Sequence, residues 1–172
     1  MKRQVPHPTQ KSAFTTIVAA GLIAGTLDIS SAILIYAYKT ERGPALIFRY
    51  IASALLGEAA FSGGTGMLWL GLLLHFIIAF IFTVLLFFTY PYVRPVLKDK
   101  YIIGIAYGVF IWLVMNLLVL PLSRVPANAI TIAKFVEGTL TLILMVGLPL
   151  ALIFQPYYSR KKRSKKKAAS RS

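Results

Sequence analysis

Four side chains interrupt long apolar stretches of this chain and are its candidate chemistry: Asp28, His75, Asn116 and Glu137. Polar groups at membrane depth need a partner or an aqueous cavity, because hydrocarbon offers them no hydrogen bonds. A carboxylate beside an imidazole can hold or exchange a proton near neutral pH. Placed together, such groups line proton and solute paths. Placed separately, each ties one helix to another. The remaining residue types narrow the options further. There is no cysteine, which excludes disulfides, thiolate ligands and thiol nucleophiles, and with only two histidines no metal site is expected. No serine–histidine, paired-aspartate or metal-ligand spacing recurs, so neither an enzyme nor a cofactor is expected. The run Ser62-Gly63-Gly64-Thr65-Gly66 lacks the Gly-Lys-Ser/Thr ending of a phosphate-binding loop and reads as a hinge.

The elements that must position these residues are apolar helices. Of 172 residues, 58% are hydrophobic and 14% charged, and the mean hydropathy is +0.73; lipid is the solvent such a composition requires. Spanning a hydrocarbon core takes roughly 20 apolar residues per helix. Four stretches reach that length: Phe14–Ala37, Met67–Thr89, Tyr101–Pro121 and Ile132–Phe154. The first is too long for a cleaved secretory signal and contains Asp28, so it reads as an uncleaved anchor. The expected architecture is an all-α membrane protein, four transmembrane helices in a bundle. A basic arm (1–13) precedes the helical domain (14–154), and a polybasic, disordered tail (155–172) follows it.

The segment Pro44–Phe61 tempts a fifth span. At 18 residues, with Arg49 inside and Gly57-Glu58 near its end, it reads instead as an interfacial or re-entrant helix over about 44–61. Charge supports this. With four spans, fourteen lysines and arginines fall on the side of the termini and the 91–100 loop, and five (Lys39, Arg42, Arg49, Arg124, Lys134) on the other. Basic segments resist translocation, so both termini are expected in the cytoplasm. Tyr36, Tyr38 and Trp69 then mark the outer boundary, and Tyr90, Tyr92, Tyr101, Tyr157 and Tyr158 the inner.

At about 1.5 Å per residue, the four polar residues lie roughly 4 to 9 Å outward of their helix centres, all in the outer half. Gly21, Gly25, Asp28 and Ala32 form one helical stripe, and Gly21-x-x-x-Gly25 allows close approach of a neighbour. Gly71, His75 and Ala79 form a similar stripe on the second span, which makes Asp28 and His75 the expected contact. Lys134, three residues before Glu137, is its expected local ion-pair partner. Asn116 is expected to bridge helices, and Gly104-x-x-x-Gly108 marks a further packing face on the third span. Pro149 is expected to kink the fourth.

The tail carries Arg160, Lys161, Lys162, Arg163, Lys165, Lys166 and Lys167. Beside a span, such a cluster attracts anionic lipid headgroups at about 1 kcal/mol per charge. No aromatic-lined surface accompanies it, so a nucleic-acid partner is not expected.

Several of these features together resemble the YagU-type family of small bacterial inner-membrane proteins. They are Gly21-Leu22-Ile23-Ala24-Gly25, His75-Phe76-Ile77-Ile78-Ala79-Phe80, the Gly104/Gly108 helix ending in Pro121-Leu122, then Pro126 and Glu137-Gly138. The resemblance covers about two thirds of the chain and leaves out 38–66 and the tail. It implies a bacterial inner membrane and a similar helix count, with no catalytic residues to carry over. From the sequence the favoured function is a non-enzymatic bundle that supports or associates with other membrane components, as a homo-oligomer or in a larger complex. The alternative is a small transporter or channel that handles protons or a solute through the outer-half polar cluster.

Overall fold

The computed structural model describes residues 12–126 and 131–169, with side chains as far as Ser159. The basic residues of the N-terminal arm and the side chains of the 160–167 cluster lie outside the described residues. Helix α1 (Ala13–Thr40) starts where the Ser12 hydroxyl accepts the Thr15 N–H at 3.1 Å and stops at Glu41, whose left-handed backbone returns its N–H to the Ala37 carbonyl. Capping groups at both ends satisfy amides and carbonyls that the helix itself cannot. Helices α2 (Ala45–Leu56) and α3 (Ala59–Ser62) divide the 44–61 segment in two. The break falls at Gly57, at φ 61° and ψ −143°, a conformation essentially confined to glycine. The Arg49 guanidinium donates to the Phe61 carbonyl and closes the two short helices on each other.

Helix α4 (Gly66–Leu97) turns within two residues into α5 (Lys100–Val114), where the Asp99 carboxylate accepts the Tyr101 and Ile102 amides at 2.7 and 3.2 Å. So short a connection forces the pair antiparallel. The third span continues through a π-helical turn (Met115–Val119) into α6 (Leu120–Leu122). The fourth runs from α7 (Ile132–Leu142), capped by Thr131, through a second π turn (Ile143–Gly147) into α8 (Leu148–Ala169).

Four helices, Ala13–Thr40, Gly66–Leu97, Lys100–Leu122 and Ile132–Ser159, are long and apolar enough to cross a membrane, and α2 is apolar but only 12 residues long. The protein is therefore an all-α, multi-pass membrane bundle with one additional short apolar helix. The last helix continues to Ala169, in place of the disordered tail that its composition suggests. Lysine, arginine and alanine are good helix formers, and a helix already nucleated in the span propagates through them without a new nucleus.

Each π turn ends two residues before a proline, Val119 before Pro121 and Gly147 before Pro149. Proline has no N–H to return to the carbonyl four residues back, and its ring crowds that carbonyl. The widened turns take up the mismatch through five-residue bonds, Leu120 N–H to the Met115 carbonyl and Leu148 N–H to the Ile143 carbonyl. At Pro149 the irregularity is thus a π turn just upstream.

Spans three and four meet almost backbone to backbone. A Cβ at Gly108 would lie 2.6 Å from Ile143 Cα, one at Gly104 2.9 Å from Leu148 Cα, and one at Gly147 would strike the Gly104 carbonyl. Against α4, α1 uses Gly21, where a Cβ would meet the Phe80 ring at 2.5 Å, and Gly25, where it would meet Phe76 at 2.9 Å. Gly71 accommodates the Phe48 backbone of α2. The Gly71–His75–Ala79 stripe therefore splits, with Gly71 turned to α2 and His75 and Ala79 to α1.

The core is one-sided. Its buried members are Ala20 and Ala24 of α1, Phe82 to Tyr90 of α4, Ile103 to Ile111 of α5, and Val146 to Phe154 of the fourth span. All occupy the half of each span nearer the termini and the α4–α5 turn. There Phe87 packs edge-on to Phe154 at 5.3 Å, Tyr90 stacks on Tyr158 at 5.4 Å, and the Tyr158 hydroxyl donates to the Phe87 carbonyl at 2.6 Å.

Candidate functional site

In the other half, the end that carries α2, the spans part and leave a cleft of about 470 Å³. Its first wall is α1, which contributes Asp28, Ala32, Ile35, Tyr36 and Lys39. These positions follow helical spacing, so one face of α1 lines the cleft from floor to mouth. Eleven residues separate Asp28 from Lys39, which places the carboxylate about 16 Å along the helix from the mouth. The second wall is α7 with Lys134, Glu137, Gly138 and Thr141, followed by Leu142; Trp112, Asn116 and the α2 residue Ile47 complete the lining.

Three of the four polar residues that interrupt the apolar stretches thus share one space, and His75 is not among its lining residues. His75 Nε2 lies 2.8 Å from the Gly25 carbonyl oxygen. A carbonyl only accepts, so Nε2 carries a proton and ties α4 to α1. The bond expected with the Asp28 carboxylate goes instead to the backbone three residues earlier, at the glycine that lets α4 approach. The Asp28 carboxylate remains within electrostatic reach of the imidazole.

Glu137 is joined to Lys39, with Nζ and Oε2 2.5 Å apart, so its ion pair crosses the cleft to α1, and Lys134 lines the same cleft. Asn116 does not bridge helices through its amide nitrogen: Nδ2 donates to the Trp112 carbonyl at 3.0 Å, one turn back in its own span. That carbonyl lies where the helix widens into its π turn. Irregular backbone of this kind is tolerated at membrane depth where protein or a cavity surrounds it.

Lys39, Tyr36 and Thr141 also belong to the site, although a search for polar interruptions of the spans passes over them. Their signal is present in the sequence, since Tyr36 and Lys39 extend the Asp28–Ala32 stripe and Thr141 lies one turn beyond Glu137 on the same face. The cleft lining carries two carboxylates and two ammonium groups, and the charged mouth leads to a floor of Asp28, Trp112, Thr141 and Leu142. Among the described residues, no group of three histidines, cysteines or acids is arranged to hold a metal ion.

No protein-family model, no curated protein and no solved structure matches this chain. The resemblance to YagU-type proteins accordingly rests on short motifs alone.

Proposed function

We propose that the chain is a non-enzymatic bacterial inner-membrane protein of the YagU type that handles a small polar solute through this cleft. The observation that carries the reading is the cleft itself, about 470 Å³, in the half of the bundle away from the aromatic core. Ligand sites are concave, mostly apolar, and furnished with a few converging polar groups, and the lining has that composition. The sequence alone favours a purely supporting bundle. A solute-handling reading gives Asp28 and Asn116, polar groups at membrane depth beside an opening, a use that a purely supporting bundle does not require. His75, bonded to Gly25, belongs to the helix packing. By the charge asymmetry the cleft faces outward, and the basic tail lies against anionic headgroups on the cytoplasmic side.

Water access is the test. The chain has no cysteine, so Ala32→Cys places a single thiol in the cleft, and Leu34→Cys, where the native side chain is 69% exposed and does not line the cleft, serves as a control of similar depth. In nanodiscs, hydroxyethyl methanethiosulfonate should modify the first much faster than the second. Equal rates would refute the reading.

A further inference from the structure

A second opening, a groove of about 290 Å³, lies between α4 and α5. Its walls include Leu85, Thr89, Val93 and Leu97 of α4 with Ile103 and Tyr107 of α5. Both hydroxyls in this lining are spent on the backbone, Thr89 donating to the Leu85 carbonyl at 2.7 Å and Tyr107 to the Phe82 carbonyl. The groove therefore offers hydrocarbon contact and no free hydroxyl. Leu85 and Leu97 are twelve residues apart, about 18 Å along the helix, and the hydrocarbon of one leaflet is about 15 Å deep. A slot of that length accommodates one extended acyl chain.

The groove ends at the α4–α5 turn, which is basic. Lys98 directly follows the lining residue Leu97, Lys100 lies three residues before Ile103, and Arg94 follows the lining residue Val93. Asp99, the acid of the turn, caps α5 by accepting the Tyr101 and Ile102 amides. Among the described residues no salt bridge reaches Arg94, Lys98 or Lys100, so the turn keeps a net positive charge. Tyr92 and Tyr101, both exposed, set it at the level of the lipid headgroups. An apolar slot of leaflet depth that ends in cations matches a molecule that is hydrocarbon along its length and negative at one end. A second copy of the chain fits less well: insertion gives all copies one orientation, and its own turn would bring the same cations against these. We infer that the groove binds an anionic phospholipid, with one acyl chain along Val93, Leu97 and Ile103 and its phosphate at Lys98 and Lys100.

This site is separate from the polar cleft, and its test is independent of it. The full chain is placed in nanodiscs of equal parts phosphatidylglycerol and phosphatidylcholine, first one lipid and then the other carrying a diazirine on the same acyl chain, and photolabelled residues are mapped by mass spectrometry. Leu152, 40% exposed in the same half of the bundle and outside the groove, is the reference position. At Val93 and Ala106, both in the groove lining, the phosphatidylglycerol probe should label about tenfold more than the phosphatidylcholine probe, against near-equal labelling at Leu152. Lys98→Gln with Lys100→Gln should cut that preference by about fivefold for each charge removed, with labelling at Leu152 and helical content unchanged. Ala106→Phe, which fills the groove from an exposed position, should remove groove labelling by both probes. Equal labelling of the groove by the two lipids overturns the anionic headgroup. A preference that survives the double variant overturns the role of the turn. Groove residues that neither probe labels, while Leu152 is labelled, overturn the lipid as occupant and leave the groove to a second copy of the chain.

Discussion

Lys39 Nζ and Glu137 Oε2 meet at 2.5 Å although the two residues are 98 positions apart, and their ion pair joins the last turn of α1 to α7 across the mouth of the polar cleft. Both side chains are partly exposed, 54% and 37%. Exposed pairs contribute only about 0–1 kcal/mol, because water already solvates the separated charges. The pair is therefore too weak to hold the bundle together and well suited to opening. Lys39→Ala and Glu137→Gln should each change thermal stability by no more than about 1 kcal/mol, yet raise the modification rate of Ala32→Cys. The exchanged double variant, Lys39→Glu with Glu137→Lys, should return the rate toward the parent value. Unchanged rates in both single variants would show that the pair does not restrict the mouth.

Helix contacts should be far less forgiving. A methyl group at Gly147 or Gly108 would strike backbone that cannot swing away, and one at Gly71 would strike the Phe48 carbonyl of α2. Overpacking of this kind costs about 1–3 kcal/mol. A methyl group at Gly64 would meet nothing within 4 Å. Gly108→Ala and Gly147→Ala should lower the melting temperature in detergent clearly, and Gly64→Ala should leave it nearly unchanged. Equal effects at all three would contradict the close approach of spans three and four.

The two buried tyrosines of the core should part ways on losing their hydroxyls. Tyr107 donates to the Phe82 carbonyl at 2.5 Å, whereas the buried Tyr90 hydroxyl has no partner among the described residues. A net hydrogen bond is worth about 0.5–1.5 kcal/mol, and an unsatisfied buried hydroxyl is a cost that its removal relieves. Tyr107→Phe should destabilise by roughly that amount, and Tyr90→Phe should be neutral or stabilising. Thermal unfolding followed by circular dichroism reads both, and a loss at Tyr90 equal to that at Tyr107 would count against the assignment.

The spans are legible in the sequence because their signal is hydropathy summed over some twenty residues, which no local detail overrides. The short helix at 44–61 is legible for the same reason, except for its break at Gly57, where the backbone conformation rather than any pattern decides the matter. Side-chain partners are harder to read. The Asp28 and His75 stripes bring α1 and α4 together as expected, but the acceptor that His75 Nε2 meets is the backbone carbonyl of Gly25, and carbonyls leave no trace in a pattern of side chains. Glu137 illustrates a second limit. Lys134 is visible because it is three residues away, whereas Lys39 becomes a partner only once α1 and α7 are set side by side. Asn116 turns back on Trp112 because the π turn before Pro121 alters the local bonding, and two-residue offsets between π turns and prolines are not something periodicity reveals.

Orientation in the membrane is the remaining expectation open to a direct measurement. Four spans place Ser12 and Ser159 on one side of the bundle, so a reporter near the C-terminus reports on both ends. The α4–α5 turn, with Arg94, Lys98 and Lys100, lies on that same side, while Arg124 lies opposite. Because loops rich in lysine and arginine stay in the cytoplasm, fusions of a reporter after Lys98 and after Lys167 should both register as cytoplasmic, and one after Ala127 should register on the far side. This outcome would also direct the cleft outward, since Lys39, Lys134 and Glu137 at its mouth belong to the end opposite the α4–α5 turn. An exported reporter after Lys98 would invert the bundle and turn the cleft toward the cytoplasm. Opposite results at Lys98 and Lys167 would be incompatible with the even number of spans.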